Sequence, residues 1–339
     1  CGAAGVATMT NDLGIYERIF DGITPFEGDA PAGIEIDFLG TVFDLSLQID
    51  PPAGETKLTV PPPARHLKTR LPRLSDGDYY FEMIDLFEAA RAAKDNFTMI
   101  ELGGGYGPRC TWANRVLDIL NPLPRRFVLV EPEPYLLQSA RRHFRNNGME
   151  PSDHWLVPVA VTTEGRPTLI LTGKARDGLA RIYGKTLVDG LLETLNNNNA
   201  LEAGLRNLLG YMRVGLTLSG EGDDTDHDVA VVSTLALTDI LAPLDRVDLI
   251  DIDIQGDEAT VLPDSIDMMD RKVRRIHLGT HNMERHGGQQ LHIDMVRLFM
   301  DAGWEIVFDL IPSTRHHFRW GDFDTPSDGI LTAVNPRLR

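Results

Sequence analysis

Two stretches of the chain carry residues whose types and spacing could do chemistry. The first, FTMIELGGGYG over residues 97–107, runs an apolar segment into an acid and then into Gly103, Gly104, Gly105 and Gly107. A strand that ends in a bare turn and leads into a helix is a common cradle for nucleotide-like ligands, because main-chain N–H groups meet the ligand without Cβ atoms in the way. The second, VDLIDIDIQGDE over 247–258, places Asp251 and Asp253 two apart, hence on one side of a strand near its end. A later stretch, VRRIHLGTH, brings His277 and His281 to the same neighbourhood. Carboxylates beside an imidazole can bind a hydroxyl and remove its proton, or collect a divalent cation that acidifies it.

Spacing separates the ligand classes. A dinucleotide turn needs G-x-G-x-x-G; counted from Gly103 the third glycine falls on Pro108, and counted from Gly105 it falls on Cys110. A phosphate-gripping loop needs a lysine, and none occurs in 95–173. What remains is E-x-G-x-G-x-G from Glu101. An acid there can bind an ammonium group directly or through water. Thirty residues on, FVLVEPEP (127–134) ends a second strand in Glu131, placed to accept ribose hydroxyl protons. Two carboxylates flanking the loop would repel phosphate. They suit a cationic, phosphate-free adenosyl ligand, of which S-adenosylmethionine is the common one, with S-adenosylhomocysteine as its product.

The expected ligand-binding set is therefore Glu101, Gly103, Gly105, Gly107 and Glu131, with Asp251 at the neighbouring strand end. Ala160, in WLVPVAV (155–161), joins it at an apolar edge for adenine. Asp253 and His281 are the expected catalytic pair, the histidine titrating near neutral pH. His277 is expected deeper, as a hydrogen-bonded core residue. A metal held by Asp251, Asp253 and His281 is the alternative. A D-x-D pair with a remote histidine is thin support for it, so the metal-free arrangement is expected. The plainer role for any of these carboxylates is to cap a helix or satisfy buried backbone. His286, His292, His316 and His317 are expected in loops or on a helix, exposed to solvent.

These residues need elements to hold them. The pattern predicts strands at 97–102, 126–131, 155–161, 167–172, 229–233, 247–252, 273–279, 304–309 and 328–334, with helices near 109–119, 134–146, 235–241, 257–269 and 288–302 between many of them. Repeated strand–helix units imply a mostly parallel sheet covered on both faces, and the last two strands, with no helix between them, imply an antiparallel pair at its edge. Before this lies a helix at 77–93 with a stripe through Phe81, Ile84, Phe87 and Ala90 or Arg91. Residues 1–76 read as an extension, with one or two strands in 34–49 around Gly40 and a proline-rich connector over 51–73. Residues 77–339 read as the main domain. It is interrupted by 173–228, where two amphipathic helices through Leu187–Leu195 and Leu201–Met212 could form a lid, a wall of the site or a contact between copies of the chain.

The 339 residues suffice for a substantial core, and 42% are hydrophobic. A formal charge of −17 opposes nucleic acid as a partner. No apolar run reaches the roughly 20 residues that span a membrane, so no membrane partner is expected. Only Cys1 and Cys110 are present, which fits a cytoplasmic protein without structural disulfides. Cys110 reads as a small apolar helix residue rather than a nucleophile.

The chain resembles the FkbM-type methyltransferases, a class I family. The resemblance runs from about residue 78 to the end, excluding 173–228, and is carried by YFEMIDLFEAA (80–90), FTMIELGGGYG (97–107), VDLIDIDIQGDE (247–258), IHLGTH (276–281), AGW (302–304) and DGILTAVNP (328–336). Against the family's strand-end pattern iDllKiDvEGaE, Asp253, Gly256 and Glu258 match, while Asp251, Gln255 and Asp257 replace lysine, glutamate and alanine. The resemblance implies a Rossmann-like, doubly wound sheet of seven strands with the last antiparallel. It also implies a transferase that moves a methyl group from S-adenosylmethionine to a hydroxyl, often on a sugar or natural product. The alternatives are an idle adenosyl-binding module of the same fold, or a metal-dependent hydrolase built on Asp251, Asp253 and His281.

Overall fold

The computed structural model describes residues 18–47, 61–163, 168–172, 214–216, 227–281, 289–318, 321–325 and 328–339. The first part contains β1 (Glu27–Ala30), the hairpin β2 (Ile34–Ile36) and β3 (Val42–Asp44), and β4 (Arg65–Lys68), which pairs antiparallel with β1. Then come α1 (Asp78–Ala92), β5 (Phe97–Leu102), α2 (Pro108–Leu120), β6 (Arg125–Val130), α3 (Pro134–Asn146) and β7 (Trp155–Val157). Short strands β8 (Ala160–Val161), β9 (Thr168–Thr172), β10 (Val214–Leu216), β11 (His227–Val232) and β12 (Thr234–Leu235) follow. The chain continues through α4 (Leu237–Leu241), β13 (Leu249–Ile252), α5 (Glu258–Lys272), β14 (Arg275–His281), α6 (Gln289–Asp301) and β15 (Glu305–Leu310). It closes with β16 (Arg315–Phe318), β17 (Gly321–Asp324) and β18 (Asp328–Val334).

The central sheet has seven strands in the order β15-β18-β14-β13-β5-β6-β7. β14, β13, β5, β6 and β7 pair in parallel, and β18 inserts antiparallel between β14 and β15. Every residue of β5 is buried, as a strand covered on both faces requires. Alternate residues feed two cores. Phe97, Met99 and Leu249 pack with α1, α2 and α3 on one face, while Ile100, Leu102, Ile250 and Ile276 pack with α4, α5 and α6 on the other. This is a doubly wound, Rossmann-like α/β architecture with one antiparallel strand.

The α1 stripe through Phe81, Ile84 and Phe87 is buried as expected, and Ala90 rather than Arg91 completes it. The N-terminal part lies against the first helical layer. Asn147, at the end of α3, exchanges two hydrogen bonds with Val42 of β3 (2.8 and 3.0 Å), and Arg115 of α2 donates to the Gly40 carbonyl at 2.8 Å.

Two expectations change. The predicted strand 155–161 divides at Pro158, whose ring lacks the ladder N–H; β7 ends the central sheet, and β8 turns to pair in parallel with β12. The strand at 167–172 lies outside the central sheet, since β9 pairs with β11 in a separate antiparallel sheet with β10. Within the interval 173–228 the described residues are Val214–Leu216, which form β10, and His227 and Asp228, which open β11; the two helices expected through Leu187–Leu195 and Leu201–Met212 fall outside the described residues. Among the described residues no helix is long and apolar enough to cross a membrane.

Candidate functional site

A row of buried polar residues crosses the sheet on its α1 face. Glu101 of β5, Asp251 of β13, His277 of β14 and Thr332 of β18 are successive register partners on neighbouring strands. All four are buried. The strand period of two puts them on one face, and α1 lays Glu82 and Asp85, both buried, over them. Asp85 binds Arg275, accepts from Thr332 Oγ1 at 2.6 Å and lies 2.7 Å from His277 Nδ1. His277 is thus the hydrogen-bonded core histidine expected. Burial opposes its charge, but the Asp85 hydrogen bond and the Asp251 charge prevail and raise it to about 9.

At the carboxyl end of β5 the chain turns through Gly103, Gly105 and Gly107, with φ of 72°, 55° and 79°. A Cβ on Gly103 would lie 2.0 Å from the Asp253 carbonyl oxygen, and one on Gly107 would lie 2.8 Å from the Phe144 ring. At Gly105 no atom lies within 4 Å of that position. A Cβ on Gly104 would lie 2.1 Å from the Leu129 side chain, so the loop is closed in at Gly103, Gly104 and Gly107 and open at Gly105 alone.

Glu101 and Glu131 flank it. Glu101 is fully buried and accepts from Cys110 N at 2.9 Å and Arg109 N at 3.3 Å, capping the first turn of α2. Glu131 accepts from Gly105 N at 2.9 Å and Glu133 N at 2.8 Å, so it ties the open part of the loop to the end of β6. Burial raises both carboxyls to about 7, with Arg109 opposing at Glu101 and the two backbone donors opposing at Glu131. Ala160 is buried in β8, its N–H donating to the Ser233 carbonyl at 3.0 Å. Cys110 is buried in α2 with its thiol pushed up by burial and by Glu101, as a packing residue rather than a nucleophile.

Past the end of β13, Asp253 lies 3.2 Å from His281 Nε2, and Gln255 Nε2 lies 3.0 Å from Asp253 Oδ1 and 2.8 Å from His281 Nε2. Behind the ring, His281 Nδ1 stands 3.4 Å from Oε1 of the fully buried Glu258. Burial works to raise Asp253, yet the His281 hydrogen bond and charge, aided by Arg109, hold it at about 2. Burial works to lower His281, yet Asp253 and Glu258 raise it to about 10. This corrects the expectation that His281 titrates near neutrality: two carboxylates make it a proton holder rather than a free base.

Arg109 is the residue the spacing did not point to. Its guanidinium donates twice to Glu82 Oε1 (3.1 and 2.7 Å) and lies 3.5 Å from Asp251 and 3.8 Å from Asp253. Glu82, Asp251 and His277 bring one ligand atom each within 4.8 Å of one another. The guanidinium lies on two of them and supplies the positive charge there. Burial raises Asp251 to about 6 against Arg109 and His277.

Several expected residues lie elsewhere. His292 is buried, not exposed, bridging Thr280 Oγ1 (2.7 Å) and Asp309 (2.8 Å), because α6 turns it onto β14 and β15. His316 and His317 sit on the hairpin β16–β17, where His317 is exposed and His316 half-buried. His286 lies outside the described residues.

No protein-family model and no curated protein matches the chain. Among solved structures, the precorrin-6Y C5,15-methyltransferase of Geobacter metallireducens GS-15 is 14% identical over 75% of this chain and 87% of its own, with a TM-score of 0.33. The methyltransferase FkbM of Methylobacillus flagellatus KT is 9% identical over 77% of this chain and 56% of its own, with a TM-score of 0.39. The Bacillus cereus O-methyltransferase in complex with SAH is 13% identical over 79% and 84%, with a TM-score of 0.32.

Proposed function

We propose that this chain is an S-adenosylmethionine-dependent methyltransferase that acts on a hydroxyl of a sugar-like or natural-product-like small molecule. The observation that carries the reading is the opening of the glycine loop at Gly105, bound by Glu131 and adjoined by Glu101, with both carboxyls desolvated to about 7. Desolvated carboxyls beside bare main chain favour a cation and disfavour phosphate. Gly103, Gly105, Gly107 and Glu131 would hold the adenosyl ligand, and Glu101 and Asp251 would face its positive charge. When bound, that ligand supplies an electrophilic methyl group on a sulfonium.

Asp253 then orients the acceptor. Kept ionised by His281 and Arg109, it accepts the hydroxyl hydrogen bond and aims the oxygen lone pair. An oxygen gaining a methyl group becomes strongly acidic, so a carboxylate held at about 2 suffices to take the proton. Alignment of this kind supplies roughly 7–11 kcal/mol of the barrier reduction, whereas a general base typically adds ~10²–10⁴-fold. The experiment is a thermal-shift screen with S-adenosylmethionine, S-adenosylhomocysteine, NAD and ATP, followed by S-adenosylhomocysteine release with a panel of hydroxyl acceptors. A ligand at ~100 times its dissociation constant adds about 2.7 kcal/mol of stability. Stabilisation by NAD or ATP but by neither adenosyl ligand would overturn the reading. Chelator-sensitive turnover would restore the metal alternative.

A further inference from the structure

Gln255 holds a left-handed backbone, with φ of 58°, ahead of Gly256. Side chains of its kind rarely adopt this conformation, which glycine adopts without cost. Its side chain supplies a reason for keeping it. The amide nitrogen is 3.0 Å from Asp253 Oδ1 and 2.8 Å from His281 Nε2. The Asp253 carboxylate settles which end of the amide lies there, since an amide oxygen would repel it. One N–H therefore donates to Asp253, and the amide lies against the ring nitrogen.

Of the groups facing the ring, Asp253 lies in front and Glu258 behind, at 3.2 and 3.4 Å. Asp328 is its cross-strand partner on β18, and Arg109 reaches Asp253 at 3.8 Å. The carboxylates draw a proton onto the ring.

We propose that Gln255 is a positioning residue: its amide bridges Asp253 and His281 and fixes the carboxylate and the ring relative to one another, and the left-handed backbone is retained for that bridge. The inference rests on the reading of Asp253 as the group that faces the acceptor, yet it can be tested without turnover.

The experiment compares wild type, Gln255→Gly and Gln255→Asn. It reads thermal unfolding without ligand, the ¹⁵N resonances and titration midpoint of His281, and methyl transfer. The glycine variant relieves the backbone, so its Tm rises by roughly 2 °C or more. Its His281 ¹⁵N resonances and titration midpoint move, because the amide that lies against the ring is gone, and turnover falls at least tenfold. The asparagine variant, whose amide stops one methylene short, lies between the two in the ring resonance. A glycine variant with an unchanged or lowered Tm, or with unmoved His281 resonances, would overturn the proposal. If wild type fails to bind S-adenosylmethionine, the methyl-transfer reading falls, while the Tm and ring resonances still decide the bridge.

Discussion

Glu101 and Asp251 stand opposite one another on adjacent parallel strands, both buried, with Arg109 beside them. Burial raises Glu101 to about 7 and Asp251 to about 6, and Glu131 across the loop to about 7. A carboxyl raised by folding contributes its stability below about pH 4.5, and that contribution is lost as pH climbs through the folded value. The ligand-free protein therefore loses stability between about pH 4.5 and 7 on account of these groups. A cationic ligand favours their ionised forms, so S-adenosylmethionine should bind several-fold more tightly at pH 7.5 than at pH 5.5. Calorimetric titrations in buffers of different ionisation heat should also show proton release. Affinity that is flat or falls with pH would exclude a cation from this seat.

The three left-handed glycines of the loop should separate by substitution. Alanine at Gly103 puts a Cβ 2.0 Å from the Asp253 carbonyl oxygen, which has no flexible end to move, so little folded protein should be recovered. Gly105→Ala meets nothing within 4 Å and carries the backbone cost alone, of order 1 kcal/mol. It should fold, and Gly105→Val, folded but bulkier, should lose ligand binding by a larger factor than His281→Ala loses turnover. Circular dichroism and a binding titration make the comparison. Equal losses from Gly105→Val and His281→Ala in folded proteins would reverse the ranking of alignment over proton transfer.

How far this arrangement could be read from the chain depends on where each side chain's partners lie. The strand–turn–helix around Gly103–Gly107 was legible because it is local: an apolar strand, an acid and closely spaced glycines are contiguous. His277 was legible as a core residue because strand alternation puts it deep in the sheet. Arg109 was not, since its partners Glu82, Asp251 and Asp253 come from α1 and from the end of β13, and no spacing rule links them. The charge state of His281 was hidden for the same reason: Glu258 reaches the ring from the first turn of α5, across the turn that follows β13. The break of 155–161 carried a visible signal in Pro158, which removes one ladder N–H.

Asp85 should be a structural keystone. It joins Arg275, His277 and Thr332, linking α1 to β14 and β18. Asp85→Ala strands a buried guanidinium and imidazole, and losing one partner of such a cluster typically costs about 3–5 kcal/mol. His277, raised to about 9, contributes stability that is fully present below about pH 6.5 and lost as pH rises through 9. Urea denaturation from pH 6 to 9.5 should therefore show a declining wild-type stability and a shallower decline in Asp85→Asn. A variant that keeps the wild-type slope would assign that decline to other groups.

Arg109 makes the sharpest pH prediction. Replacing it with methionine keeps much of the side-chain volume but removes the cation that Glu82, Asp251 and Asp253 share. Without it the Asp251 and Glu101 carboxyls, already raised by burial, rise further, because the cation that opposes that rise is gone. A raised carboxyl penalises the fold as pH increases, so Arg109→Met should be mildly destabilised at pH 5 and much more so at pH 8. Arg109→Lys should recover only part of the loss, since an ammonium cannot reproduce the two N–H donors aimed at Glu82 Oε1. Melting curves of the three proteins at both pH values decide it. A Met variant equally destabilised at pH 5 and pH 8 would mean that Arg109 acts through packing rather than charge.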